Sequence, residues 1–181
     1  MRWELKHKKE LLRTVPFTVE ALELIDRITG KPLSHPYHRL SSPDWVNILA
    51  LTEDKKAILI RQSRAGSLRE TLEIPGGMVD ANEELELAAK RELEEETGYR
   101  CAKLTRIGQI NPNPAIMANT LHMFLAKNCV IPKKREHFPD ENEHLEIVLV
   151  PFSDLVPMVY RQEIDSALAA LTIMMAQNQV D

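Results

Sequence analysis

The 181-residue chain has no apolar run near the roughly 18 residues that would cross a membrane, so no membrane partner is expected. It has no excess of basic residues. Lys and Arg number 23 against 27 Asp and Glu, for a net charge of −4. A protein that grips a nucleic-acid duplex usually shows the opposite balance, so nucleic acid is not an expected partner. The opening stretch MRWELKHKKELLR lacks the apolar segment that follows the basic residues of a secretory leader. Cysteine is limited to Cys101 and Cys129, which form no CxxC pair. Reduced thiols in a cytoplasmic protein are the expectation. Internal repeats and low-complexity segments are also missing. With 44% hydrophobic residues, the length suits one globular domain with a small appendage.

Residues 3–13 and 17–27 alternate loosely and end at Thr29-Gly30, which predicts two strands and a turn. Residues 31–44 hold three prolines and several serines and read as a connector. Residues 46–51 and 57–60 are β-rich runs around a polar turn, the pattern of a hairpin. A helix is expected over 84–97, closed by Gly98 in the left-handed conformation. Strands follow near 103–110, 120–126 and 145–151, then a short helix from Ser153. A last helix over about 162–177 carries Ile164, Leu168, Leu171 and Met175 at helical spacing. Mixed strands with few helices suggest a sheet layered between helices. Residues 127–145 form a long polar loop of the kind that often carries function.

The helix over 84–97 has an unusual face. At about 100° per residue, Leu85, Ala88, Ala89 and Leu93 share one stripe. Glu92 and Glu96 fall inside that stripe and Glu95 at its edge, while Glu84, Glu86, Lys90, Arg91 and Glu94 occupy the solvated side. Burying carboxylates without partners costs several kcal/mol, on the order of the charge-burial penalty. Carboxylates at i, i+3 and i+4 converge. They suit either a hard cation with oxygen ligands or basic side chains from elsewhere.

The run Gly77, five residues, Glu83, seven residues, then Arg91-Glu92-Leu93-Glu94-Glu95-Glu96-Thr97-Gly98-Tyr99 resembles the Nudix box at every fixed position. Tyr99 replaces a bulky aliphatic at the last. The resemblance implies a Nudix-type α/β/α sandwich with a mixed sheet, and N-terminal antiparallel strands precede it here. Residues 1–40 are expected to form a dimerisation segment and 41–181 the hydrolase domain. The resemblance further implies metal ligation by Glu92, Glu95, Glu96 and the Gly76 carbonyl, with Glu95 also a catalytic candidate. Gly77, Glu83, Arg91 and Gly98 support the box, Glu83 and Arg91 as a bracing pair. The implied cofactor is Mg²⁺, with Mn²⁺ as a substitute.

Pro114, sixteen residues after Gly98, resembles the ADP-ribose and nucleoside diphosphate sugar branch of that family. The expected reaction is hydrolysis of a pyrophosphate bond to a nucleoside monophosphate and a sugar phosphate. The expected assembly is a homodimer, with a domain swap possible in its N-terminal strands. The alternatives are a nucleotide-pool or dinucleoside polyphosphate hydrolase, and an inactive ligand-binding module. Asp140-Glu141-Asn142-Glu143 is the densest acidic patch outside the box, so Glu141, with Glu143 as competitor, is expected to be the general base. Arg39, Arg64 and Asn113 are the substrate-binding candidates, the arginines because guanidinium suits phosphate. Trp3 and Trp45 are candidates for stacking on a base.

Overall fold

The computed structural model describes residues 1–139 and 144–180, and its chain forms two compact units. One consists of Met1–Asp44 with Asn111–Thr120, the other of Trp45–Ile110 with Leu121–Asp181.

The first unit is a three-stranded antiparallel sheet of β1 (Trp3–Arg13), β2 (Thr18–Asp26) and β3 (Tyr37–Ser41), in that order. β3 lies in the stretch read from sequence as a connector. Pro36 and Pro43 flank it, which leaves residues 37–41 free to pair with β2 along its outer edge. Two buried acids are each met by arginine. Glu20 accepts from Lys8 at 2.8 Å and from Arg39 Nη2 at 2.7 Å, and Asp26 accepts from Arg2 Nε at 2.8 Å. β1 is exposed along its whole length and carries Trp3, Leu5, Leu11 and Leu12 into solvent.

The second unit is a seven-stranded mixed sheet. It holds β4 (Trp45–Thr52), β5 (Lys56–Arg64), β6 (Arg69–Glu73), β7 (Gly76–Met78), β8 (Arg100–Ile110), β9 (Leu121–Val130) and β10 (Glu146–Pro151). The order is β10-β5-β4-β9-β8, with β6 on β5 and β7 on β4. β4 and β9 run parallel, and the other pairs are antiparallel. Three helices cover the sheet: α1 (Leu85–Thr97), α2 (Leu155–Tyr160) and α3 (Ala167–Ala176).

The two-residue period of the central strands decides which helix each side chain meets. Val46, Ile48 and Ala50 of β4, with Ile58, Phe124 and Ala126, pack under Ala88, Ala89 and Leu93 of α1. Leu49, Leu51, Leu59, Met123 and Leu125 face the other way, onto Leu155, Ile164, Ala169 and Ile173. This is the expected sandwich. Truncating Leu93, which is fully buried, is worth about 3 kcal/mol by analogy with other core leucines.

The last helix is shorter than its sequence suggests. Ser166 caps it by accepting from Ala169 N. Its buried residues are Ala169, Thr172, Ile173 and Ala176, while Met175 is exposed and Ile164 is buried ahead of the helix. Residues 167–176 are apolar nearly all round, so periodicity could not say which face turns inward. No helix among the described residues is long and apolar enough to cross a membrane.

Candidate active site

α1 is built from strong helix formers, and the Gly98 N–H closes it on Glu94 O at 2.8 Å with φ at 74°. Its N-terminal approach is the loop after β7, and that loop is tied to the helix by one guanidinium. Arg91 donates from Nε to Glu83 Oε1 at 2.9 Å and from Nη2 to Glu83 Oε2 at 2.8 Å and Met78 O at 3.0 Å. Its Nη1 donates to Glu92 Oε1 and Glu95 Oε2, each at 2.8 Å. All five N–H groups thus hold the loop and the helix together. Glu83 also accepts from Asp80 N at 3.0 Å. The Arg91 guanidinium is the main cause that holds the Glu83 carboxyl below its ordinary value, and Glu83 in turn raises Arg91. The bracing pair read from the box is therefore present as a contact.

The carboxylates come down on two glycines. Glu96 is buried, and its Oε2 accepts from Gly76 N at 2.7 Å. At Gly77 an added Cβ would lie 2.5 Å from both Cδ and Oε2 of Glu92. β7 can therefore approach the helix so closely only because it has no side chain there. Glu92, Glu95 and Glu96 share one flank of α1, and Arg91 Nη1 lies between the first two. Arg91 thus pairs with Glu92 and Glu95, and the backbone N–H of Gly76 with Glu96. Among the described residues, no three acidic, histidine or cysteine side chains converge closely enough to hold a metal ion as they stand. The donor set nevertheless suits a hard cation: three carboxylates beside a Cβ-free stretch of backbone, with no sulfur ligand.

The helical-wheel reading of Glu94 is corrected. It is 2% exposed, not solvated. Arg100 grips it with Nε and Nη2 at 3.0 Å each, and Glu136 N donates to it at 2.6 Å. Burial works to raise its carboxyl, but Arg100 and that backbone N–H pull it below the ordinary value. Nearby, Arg135 Nη2 donates to the carbonyls of Glu94 at 2.9 Å and Glu95 at 2.7 Å, satisfying the helix C-terminus. The sequence reading missed this clasp of Glu94, Arg100 and Arg135. Nothing in the local pattern marks it, because Arg135 is 41 residues from Glu94.

Each substrate candidate has a partner of its own. Arg64 on β5 makes a two-pronged pair with Glu73 at 2.9 and 3.0 Å. Burial would raise the Glu73 carboxyl, but Arg64 and Thr71 bring it below the ordinary value. Arg39 is engaged by Glu20, and Asn113 Oδ1 accepts from Ala115 N at 3.3 Å in its own turn. Both belong to the first unit. Trp3 contacts Tyr37 with ring centroids 4.9 Å apart, and Trp45 is half-buried at the start of β4. Glu141 and Glu143 lie outside the described residues.

Residues 42–171 match the NUDIX domain family. The chain is 38% identical over 136 residues to ADP-ribose pyrophosphatase of Bacillus subtilis (strain 168), covering 75% of this chain and 72% of that one. It is 26% identical over 168 residues to GDP-mannose pyrophosphatase of Escherichia coli O1:K1, covering 87% and 86%. A solved structure described as an ADP compounds hydrolase superposes with a TM-score of 0.83 over 99% of this chain and 94% of that one. Its 22% identity supports a shared fold. With the box intact, its brace formed and its sheet and helices in the same arrangement, the chain belongs to the Nudix hydrolase family.

Proposed function

We propose that this protein hydrolyses the pyrophosphate bond of a nucleoside diphosphate sugar such as ADP-ribose or GDP-mannose. The products are a nucleoside monophosphate and a sugar phosphate. The observation that carries the reading is the set of box carboxylates on α1, Glu92 and Glu96 pressed against Gly76 and Gly77. The relatives named above act, by their names, on two sugar-linked nucleoside diphosphates, which supports this substrate class.

Mg²⁺, or Mn²⁺ in its place, would be held by Glu92, Glu95, Glu96 and the Gly76 carbonyl. When bound it supplies charge neutralisation on the diphosphate and acidifies water. Arg91 keeps the loop after β7 in register with the helix, so the ligands keep their places between turnovers. Water adds to one phosphorus, the bridging P–O bond breaks, and the leaving phosphate takes the electron pair. Glu141 accepts the proton from the attacking water, with Glu143 as the competitor. That assignment rests on the sequence, since the box glutamates are committed to metal. Arg39, Arg64 and Asn113 remain candidates for holding substrate, Arg64 by exchanging Glu73 for a phosphate. We further propose a homodimer joined through residues 1–40, on the ground that β1 exposes four large apolar side chains on an edge with no further strand among the described residues.

The test is product release from a panel of ADP-ribose, GDP-mannose, UDP-glucose, dATP and diadenosine tetraphosphate, with Mg²⁺ and with a chelator. Turnover confined to the sugar-linked diphosphates and lost with chelator supports the reading. Faster turnover of dATP or the dinucleotide would replace it with a nucleotide-pool or dinucleoside polyphosphate function. Ligand binding without turnover would leave only a binding module. Glu141→Gln should lower kcat by about 10²–10⁴, and a larger loss in Glu143→Gln would move the base to that residue. A 20.7 kDa species in light scattering would refute the dimer.

A further inference from the structure

Outside the box, β8 and β9 carry a polar group that no step above uses: Arg106, Gln109 and His122. Phe124 and Ala126 of β9 pack under α1, so His122, two residues earlier, faces the same side of the sheet. Gln109 stands directly across from His122, and Arg106 directly across from Phe124. Residues three apart on a regular strand face opposite sides. The irregularity between Arg106 and Gly108 adds the residue that brings both onto the α1 face. Bulges of this kind re-aim side chains and are common beside active sites.

The group is also built from below. His122 is 6% exposed, and its Nδ1 lies 2.8 Å from Arg106 Nη2. A guanidinium only donates, so Nδ1 is the acceptor of this bond. Arg106 Nη2 also donates to Gln109 Oε1. Arg106 and Gln109 are themselves exposed. Arg106 Nε and Nη1 and the Gln109 amide nitrogen make no bond among the described residues, so the group turns several donors outward.

The group is in line with the carboxylate centre. Gly77 pairs with Val46, Val46 with His122, and His122 with Gln109, one row across four strands. At about 4.8 Å per strand, His122 is about 10 Å and Gln109 about 14 Å from the glycine beneath Glu92.

We propose that Arg106 and Gln109 form a substrate subsite for an acceptor-rich group, with His122 as the positioning residue beneath them. The proposal rests on the nucleoside diphosphate sugar reading, and it narrows that reading. A donor-rich face fits a phosphate or the O6 and N7 acceptors of guanine. It fits adenine less well, whose edge pairs an acceptor with an amino donor.

The experiment compares wild type, Arg106→Ala and Arg106→Lys in two assays. One is steady-state hydrolysis of GDP-mannose and ADP-ribose. The other is equilibrium titration with GMP, AMP and inorganic phosphate in metal-free buffer. Arg106 is exposed, and thermal unfolding of both variants checks that the fold is kept. Arg106→Ala should raise KM by about tenfold or more, with the smaller share of the loss in kcat. Arg106→Lys should recover only part of it, because an ammonium lacks the planar fork. A loss concentrated in GDP-mannose and GMP identifies the base edge. An equal loss for both substrates and for inorganic phosphate identifies a phosphate. Unchanged KM together with probe binding equal to wild type overturns the subsite. If wild type turns over neither substrate, the pyrophosphatase reading fails, and the titrations alone decide the subsite.

Discussion

Replacing Gly77 with alanine separates catalysis from folding at this site. Gly77 is not among the glycines with positive φ, so alanine brings no backbone strain there. The new Cβ would lie 2.5 Å from Glu92 Cδ and Oε2, where ordinary contact begins at 3.4 Å. The carboxylate is the far end of a flexible side chain, so even with its bond from Arg91 it can retreat by about 1 Å, and a displacement of that size can cost about 10²-fold in rate. Stability should change by no more than about 1 kcal/mol, since alanine also restricts the unfolded chain. That corresponds to a shift in Tm of about 2–4 °C for a domain of this size. Gly76→Ala is the control. Its Cβ would run into the backbone carbonyl of Val46, inside the β4–β7 pairing, which cannot retreat. Thermal unfolding and kcat for ADP-ribose hydrolysis should therefore part company: Gly77→Ala folded and slow, Gly76→Ala unstable. A Gly77→Ala protein with kcat within fivefold of wild type would refute the argument that the position of Glu92 matters. One that fails to fold would refute the claim that the side chain yields.

Glu96→Gln should lower kcat on the order of 10³-fold with Tm nearly unchanged, since an amide can still accept from Gly76 N. Activity within fivefold of wild type in the same assay would remove Glu96 from the ligands. Glu83 has its carboxyl lowered by Arg91, so its stabilising contribution is complete above the ordinary value of 4.5 and is lost as pH falls through the lowered value. The stability gap between wild type and Glu83→Gln in urea unfolding should thus be constant at neutral pH and narrow below about 4.5. A gap that widens on acidification contradicts the brace. Glu94→Ala should cost about 2 kcal/mol in the same measurement, by loss of charge-assisted bonds from Arg100 and the Glu136 N–H. No measurable cost would return Glu94 to the solvated face.

Much of the second unit was legible because its determinants are local. Alternating apolar residues over 46–51 and 57–60 give β4 and β5, and Gly98 marks the end of α1 within one residue. The bracing of the box is legible for the same reason: Glu83 and Arg91 stand eight residues apart and bond directly. β3 was not legible, since a strand of five residues between prolines is recognised by its partner β2 more than by its own composition. β6 shows no period of its own, as Arg69-Glu70-Thr71-Leu72-Glu73 has too few apolar positions, and only its end at Leu72-Glu73 reads as a strand entering the box. The inward face of α3 was hidden because Ala, Leu, Ile and Met occupy almost every position of it.

Glu94 shows where helical geometry by itself stops being informative. The wheel places it correctly in angle, opposite the stripe of Ala88, Ala89 and Leu93. What covers that angle is not part of the helix. Arg100 arrives from the strand that follows, and Arg135 and the Glu136 N–H arrive from a loop about forty residues on. A carboxylate becomes buried there because the Arg100 guanidinium and the Glu136 N–H replace its water, which offsets the usual cost of burial. Sequence period can assign a side chain to a direction. Whether that direction is solvent depends on contacts of long sequence separation, and the same holds for the pairing of Arg106 with His122. Residues of this kind are where measurement on the folded protein adds most to what the box already states.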